Sequence, residues 1–117
     1  MTIREIKELL DAEVCCCENP DVDILSACGS DMMSDVLAYV KHQAVLLTGL
    51  VNAQVIRTAE MMDMRCIVFV RSKKPTADML DLACSCGIAV LSTTKRMYEA
   101  CGILYAGGLK GNGEINE

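Results

Sequence analysis

Short apolar runs alternate along the chain with segments whose apolar residues recur every three or four positions. Residues 44–47, 66–70 and 88–91 are such runs. Each breaks into a polar loop: Thr48-Gly49, then Arg71-Ser72-Lys73-Lys74-Pro75, then Ser92-Thr93-Thr94. Between them the spacing predicts helices over about 52–62 and 76–86, and after them one over about 95–105. In the 76–86 helix Ala77, Leu80 and Cys84 are expected to face inward and Asp78 and Asp81 outward, with Gly87 as its C-terminal cap. The unit around which the pattern is organised is the strand, helix and strand of residues 44–75.

Upstream of that unit, Thr2-Ile3-Arg4-Glu5 has the form of a capping box opening a helix to about residue 11, with Ile3, Ile6, Leu9 and Leu10 as its apolar stripe. Residues 13–17 and 22–27 read as strands separated by an Asn19-Pro20-Asp21 turn. Gly29-Ser30-Asp31 ends the second. Ser30 or Asp31 is then a cap for a helix over 32–41, with Val36, Leu37 and Val40 inward, closed by His42-Gln43. The expected fold is α/β: three α/β/α layers with a mainly parallel sheet of about five strands. Residues 1–106 form one domain, and the glycine-rich residues 107–117 a flexible tail.

A largely parallel sheet with right-handed crossovers gathers the loops that follow its strands along one edge, where open α/β sheets bind ligands. Arg71, Lys73, Lys74, Lys95 and Arg96 fall in two of those loops, five of the eleven Lys and Arg in a chain of net charge −5. Thr48, Ser72, Ser92 and Thr93 add hydroxyls suited to phosphate or ribose, and helices opening near Asn52, Thr76 and Lys95 add positive dipole ends. The candidate ligand residues are therefore Thr48, Gly49, Asn52, Arg71, Ser72, Lys73, Ser92 and Thr93, for an anionic small molecule. The alternative is ordinary solvated loop charge. Neither GxGxxG after the first strand nor GxxxxGK[ST] occurs.

His42 is the single histidine and falls at the opposite edge, so Ser/His/Asp and Cys/His catalysis is not expected. Asp31 and Asp35 read as helix-dipole partners, and Met61, Met62 and Met64 as core or subunit contact. Tyr98 and Tyr105 share one face of the last helix. The eight cysteines, Cys15, Cys16, Cys17, Cys28, Cys66, Cys84, Cys86 and Cys101, include no CxxC. They are expected to be reduced thiols packed as small apolar residues, with no metal and no cofactor; a metal site from Cys84, Cys86 and the 15–17 run is the alternative. The acidic balance argues against nucleic acid and anionic membranes. No apolar run approaches the ~20 residues of a membrane span, and the amphipathic N-terminus is unlike a signal peptide. A cytoplasmic protein is expected.

The runs SDMMSDVLAYVK, LLTGLVNAQVIRTAEMMDMRCIVFVRSKKP and VLSTTKRMYEACGIL resemble the DRTGG domain, over roughly residues 3–105. That family is related to the N-terminal domain of HPr kinase/phosphorylase and shares its fold. The Asp-Arg of its name falls at Leu50 and Val51, and the Thr-Gly-Gly at Val70, Arg71 and Ser72. The threonine that usually precedes the tyrosine of the last helix is Met97. Gly49, Pro75, Ser92-Thr93 and Tyr98-Glu99 are retained. The resemblance implies a non-catalytic regulatory or ligand-sensing domain, a homodimer, binding an anionic or nucleotide-like molecule. Such domains occur beside phosphotransacetylase, pyrophosphatase or HPr kinase catalytic domains. Short forms resemble those of anaerobic bacteria, where the partner would be a hydrogenase or sensor-kinase-like protein and the domain an interaction adaptor.

Overall fold

The computed structural model describes residues 1–39 and 43–111. Its order is α1 (Ile3–Leu10), β1 (Glu13–Cys16), β2 (Ser26–Gly29), α2 (Met33–Tyr39), β3 (Ala44–Thr48), α3 (Ala53–Met61), β4 (Cys66–Phe69), α4 (Ala77–Ser85), β5 (Ala89–Ser92) and α5 (Met97–Ala106). The five strands form one sheet in the order β1-β5-β4-β3-β2. β2, β3, β4 and β5 are mutually parallel, and β1 joins the β5 edge antiparallel. This is the expected three-layer α/β/α fold.

Every residue of β3, β4 and β5 is buried. Strand alternation sends Val45, Leu47, Cys66, Val68, Ala89 and Leu91 to a face covered by α1 and α5, through Ile3, Ile6, Leu10, Ala100 and Leu104. Leu46, Ile67, Phe69 and Val90 go to the other face, under Val36, Val55, Ile56, Ala59, Met79 and Ala83 of α2, α3 and α4. The helix starts are locally encoded. Thr2 Oγ1 accepts from the Glu5 N–H, and Glu5 accepts from the Thr2 N–H at 2.8 Å, completing the capping box. Asn52 and Thr76 cap α3 and α4 by accepting from Val55 N and Met79 N. Gly87 follows α4 at φ 73°, the left-handed conformation its place predicts.

Several expectations change. The second strand is Ser26–Gly29 rather than 22–27. Residues 22–24 instead attach to the start of α1, with Ile3 N donating to the Val22 carbonyl and Ile24 N to the Met1 carbonyl. Ile24 is buried there, so the local apolar run serves the helix layer and not the sheet. On α4 the buried positions are Met79 and Ala83, while Ala77 and Cys84 are exposed; the stripe is rotated by one residue. Leu9, Leu37 and Met61 are exposed as well, whereas Met64 is core. The chain stays against the domain past residue 106: Leu109 is buried and the Lys110 carbonyl accepts from Ala27 N at 2.9 Å. Val40, Lys41 and His42, and residues 112–117 of the expected tail, lie outside the described residues.

The cysteine expectation is corrected too. Cys16 and Cys84 are joined by a disulfide, leaving Cys15, Cys17, Cys28, Cys66, Cys86 and Cys101 as thiols. A bulge in β1 turns Cys16 toward α4, which alternation read from the sequence did not contain. Among the described residues, no group of three or more His, Cys, Asp or Glu is placed to hold a metal ion. No helix among them is long and apolar enough to cross a membrane.

The capping box predicts a pH signature. The Thr2 backbone N–H, and then its hydroxyl, hold the Glu5 carboxyl below its ordinary value. A carboxylate favoured in the folded state contributes stability above the unfolded carboxylate pKa, and loses it as pH falls through the lower folded value. Glu5→Ala should therefore melt below wild type at neutral pH, with the difference closing on acidification below about pH 4. Thermal melts of both proteins across pH check this.

Candidate functional site

The ends of β2, β3, β4 and β5 meet at one edge of the sheet, and their pairing runs past the strands. Ser30 N donates to the Leu47 carbonyl, Val70 N to Thr48 and Thr93 N to Phe69. The loop after β4 then reverses through Arg71 and Ser72, both left-handed at φ 57° and 61°. Non-glycine residues there cost roughly 1–3 kcal/mol each. Four bonds hold the reversal: Arg71 N to Lys95 O at 2.8 Å, Ser72 N to Thr93 O at 2.9 Å, Lys73 N to Val70 O at 3.1 Å, and Ser92 Oγ to Lys73 O at 2.6 Å. These are the two positions where the family resemblance puts glycines.

The loops after β2 and β3 are joined through Asp31. Its Oδ1 accepts from Thr48 Oγ1 at 2.9 Å and from Gly49 N at 2.7 Å. The Arg71 guanidinium lies against Gly49, where a Cβ would displace it. Beside this junction Gly29, Ser30, Asp31, Arg71, Arg96, Met97 and Tyr98 line a cleft of about 430 Å³. Its rim includes Tyr98, 90% exposed. Gly29 forms its inner end, leaving no room for a Cβ beside Cys101 of α5.

The candidate residues divide by what their side chains touch. Thr48 is fully buried; its hydroxyl donates to Asp31 and accepts from Leu50 N. The Ser92 hydroxyl is held by the Lys73 carbonyl, and that of Thr93 donates to the Leu10 carbonyl at 2.7 Å. Asn52 is occupied as the α3 cap. These groups therefore build the edge. Arg71 lines the cleft with Gly49 beneath it, whereas Ser72 and Lys73 are exposed on the loop outside it. Lys74 is engaged by Glu13, its Nζ 2.9 Å from Oε1, and this contact raises the Lys74 pKa. Arg71, Lys73, Lys95 and Arg96 form no ion pair among the described residues.

Ser30, Asp31 and Met97 fall in loops expected at the ligand edge, but neither they nor Tyr98 were among the candidate ligand residues. Asp31 carried a cap signal and Tyr98 a helix-face signal, and only the meeting of two distant loops assigns them to one place. Arg96 was visible through the charge count. The expected position of His42 lies outside the described residues.

No protein-family model matches the chain, and no curated protein matches it in sequence. Among solved structures it superposes on the CBS and DRTGG domains of the regulatory region of Clostridium perfringens pyrophosphatase, complexed with the activator diadenosine tetraphosphate. The TM-score is 0.69 at 13% identity, over 88% of this chain and 45% of that one. The chain shares its fold with part of that regulatory region. It spans less than half of the neighbour's length, and at this identity the likeness is one of fold alone.

The engaged hydroxyls give a test of the division. Thr93→Val should cost about 1–3 kcal/mol in chemical denaturation, because the buried Leu10 carbonyl loses its donor. The Lys95 N–H, which donates to the same hydroxyl at 3.3 Å, should shift with it, while the far rim of the cleft stays intact, read as an unchanged amide chemical shift for Tyr98.

Proposed function

We propose that the chain is a regulatory domain of the DRTGG type that senses an anionic or nucleotide-like small molecule in the cleft at the carboxyl edge of the sheet. The observation that carries this reading is the pair of arginines, Arg71 and Arg96, lining one cleft while neither is ion-paired among the described residues. Guanidinium groups bind phosphate oxygens through paired N–H donors. Tyr98 at the rim offers a ring face to a base. The Asp31 carboxylate is held by Thr48 and Gly49, so its negative charge is partly met inside the protein. The structural neighbour is a regulatory region bound to a nucleotide activator, which fits this role. On this reading the chain is a non-catalytic cytoplasmic domain acting as a homodimer.

A second reading is favoured by one observation. Tyr98, Glu99, Cys101, Gly102, Ile103, Tyr105 and Ala106 line a shallow, mainly apolar groove of about 650 Å³ on α5, with Tyr105 60% exposed. Such a surface suits an adaptor that contacts another protein.

Isothermal titration of the chain with diadenosine tetraphosphate, ATP and inorganic pyrophosphate separates the two. Sensing predicts saturable binding of at least one, weakened about 10- to 100-fold by Arg71→Ala and by Arg96→Ala, the loss of a charged hydrogen bond. No binding by folded wild type at millimolar ligand, or equal affinity in both variants, would sink the sensing reading.

A further inference from the structure

We propose that Cys16 and Cys84 form a reversible disulfide strap that fixes the edge strand β1 to α4 and, through α4, steadies the loop carrying Arg71. The proposal rests on the packing of β1 and does not depend on the identity of any ligand.

β1 is bound to the sheet on one side only, through β5. Its register slips between Val14, paired with Leu91, and Cys16, paired with Val90, leaving Cys15 as the extra residue. Val14 and Cys17 line a shallow cleft against Ile3, Arg4 and Lys7 of the α1 layer. Regular alternation would send Cys16 to the same side as Val14. The bulge instead turns Cys15 and Cys16 to the opposite face, into the cluster that contains Met79 and Ala83 of α4. The Cα atoms of Cys16 and Cys84 are 6.4 Å apart, within the span a disulfide bridges.

The strand is thus held to one helical unit at both ends. β1 and α4 run in the same direction along the sheet edge. At the carboxyl edge Glu13 Oε1 meets Lys74 Nζ at 2.9 Å, just before α4 begins. At the other end the disulfide joins the last residue of β1 to the last turn of α4. Lys74 follows the left-handed pair Arg71-Ser72 by two residues, so movement of β1 against α4 acts on the reversal that positions Arg71.

Six other cysteines compete on paper. Cys66 is fully buried, and burial drives its thiol far above the ordinary value. Burial also raises Cys15, Cys17, Cys28, Cys86 and Cys101. Cys84 is exposed and Cys16 half-buried, so Cys84 is the residue of the pair a small reagent meets first. In oxidation by a low-molecular-weight disulfide RSSR, the Cys84 thiolate attacks one sulfur and expels RS⁻, forming a mixed disulfide. The Cys16 thiolate then attacks the Cys84 sulfur and expels the second RS⁻. The two thiol protons leave with the two RS⁻ groups as RSH, and two electrons pass from the protein to the reagent. Reduction by a dithiol reverses both steps.

The test uses the full chain, incubated with oxidised glutathione or with dithiothreitol, then alkylated under denaturing conditions and weighed intact. The oxidised protein should take up two fewer alkyl groups, with peptide mapping giving a Cys16–Cys84 crosslink. Closing so long a segment should raise Tm by on the order of 10 °C. Amide exchange should slow at residues 13–17 and 70–76. Cys84→Ser, at an exposed position, should abolish the crosslink and both shifts, while Cys86→Ser keeps them. Eight alkylatable thiols under oxidation, a crosslink mapped elsewhere, or a Tm shift that survives Cys84→Ser overturns the strap. A correct crosslink with unchanged exchange at 70–76 overturns its link to the Arg71 loop.

Discussion

Burial of the three central strands on both faces is the constraint from which the rest follows. Both alternation sets of β3, β4 and β5 must be apolar, so polar side chains are expelled from the sheet to its ends. With β2 to β5 parallel, the carboxyl ends collect in one place the loops that can carry chemistry. The antiparallel β1 sits outside this logic. It extends the sheet at one edge and contributes Glu13 to the same end of the molecule.

Polar groups at that edge sort by length. The short hydroxyls of Thr48, Ser92 and Thr93 reach only neighbouring backbone or Asp31, and each closes a hydrogen bond that burial would otherwise leave open. Long cations extend past this layer into solvent. A sequence shows the residue types of a loop but not how deep each lies, so hydroxyls and cations looked equally suited to a ligand. Depth separates them.

The fold was legible because its signals are local. The Thr2–Glu5 box, the Asn52 and Thr76 caps, Gly87 and the apolar runs each act within a few residues. What escaped depends on partners far along the chain. The strand at 26–29 is defined by pairing with β3, and residues 22–24 are drawn off by α1. Cys16 faces α4 through a bulge that no composition rule announces, and its disulfide partner lies 68 residues away. Leu109 looked like part of a glycine-rich tail, yet it closes the α1–α5 side of the core. Of the candidate site, the charge of Arg71 and Arg96 was readable. That the Asp31 loop shares their edge was readable too; its bonds to Thr48 and Gly49, and the place of Tyr98 beside the cleft, required the structure.

The Arg71-Ser72 reversal shows how a left-handed loop is held together without glycine. Two left-handed non-glycine residues cost together roughly 2–6 kcal/mol. The four bonds that hold the turn supply about 0.5–1.5 kcal/mol each, a total of the same size. The backbone therefore remains in the shape that glycines would adopt freely, provided the 92–95 segment stays in place to accept and donate. Arginine at the first of these positions places a long cation on the turn. Its guanidinium settles over Gly49, at the mouth of the cleft shared with Arg96. The strain of the turn and the charge of the cleft are thus two consequences of one residue, and both depend on the bonds between the β4–α4 and β5–α5 loops.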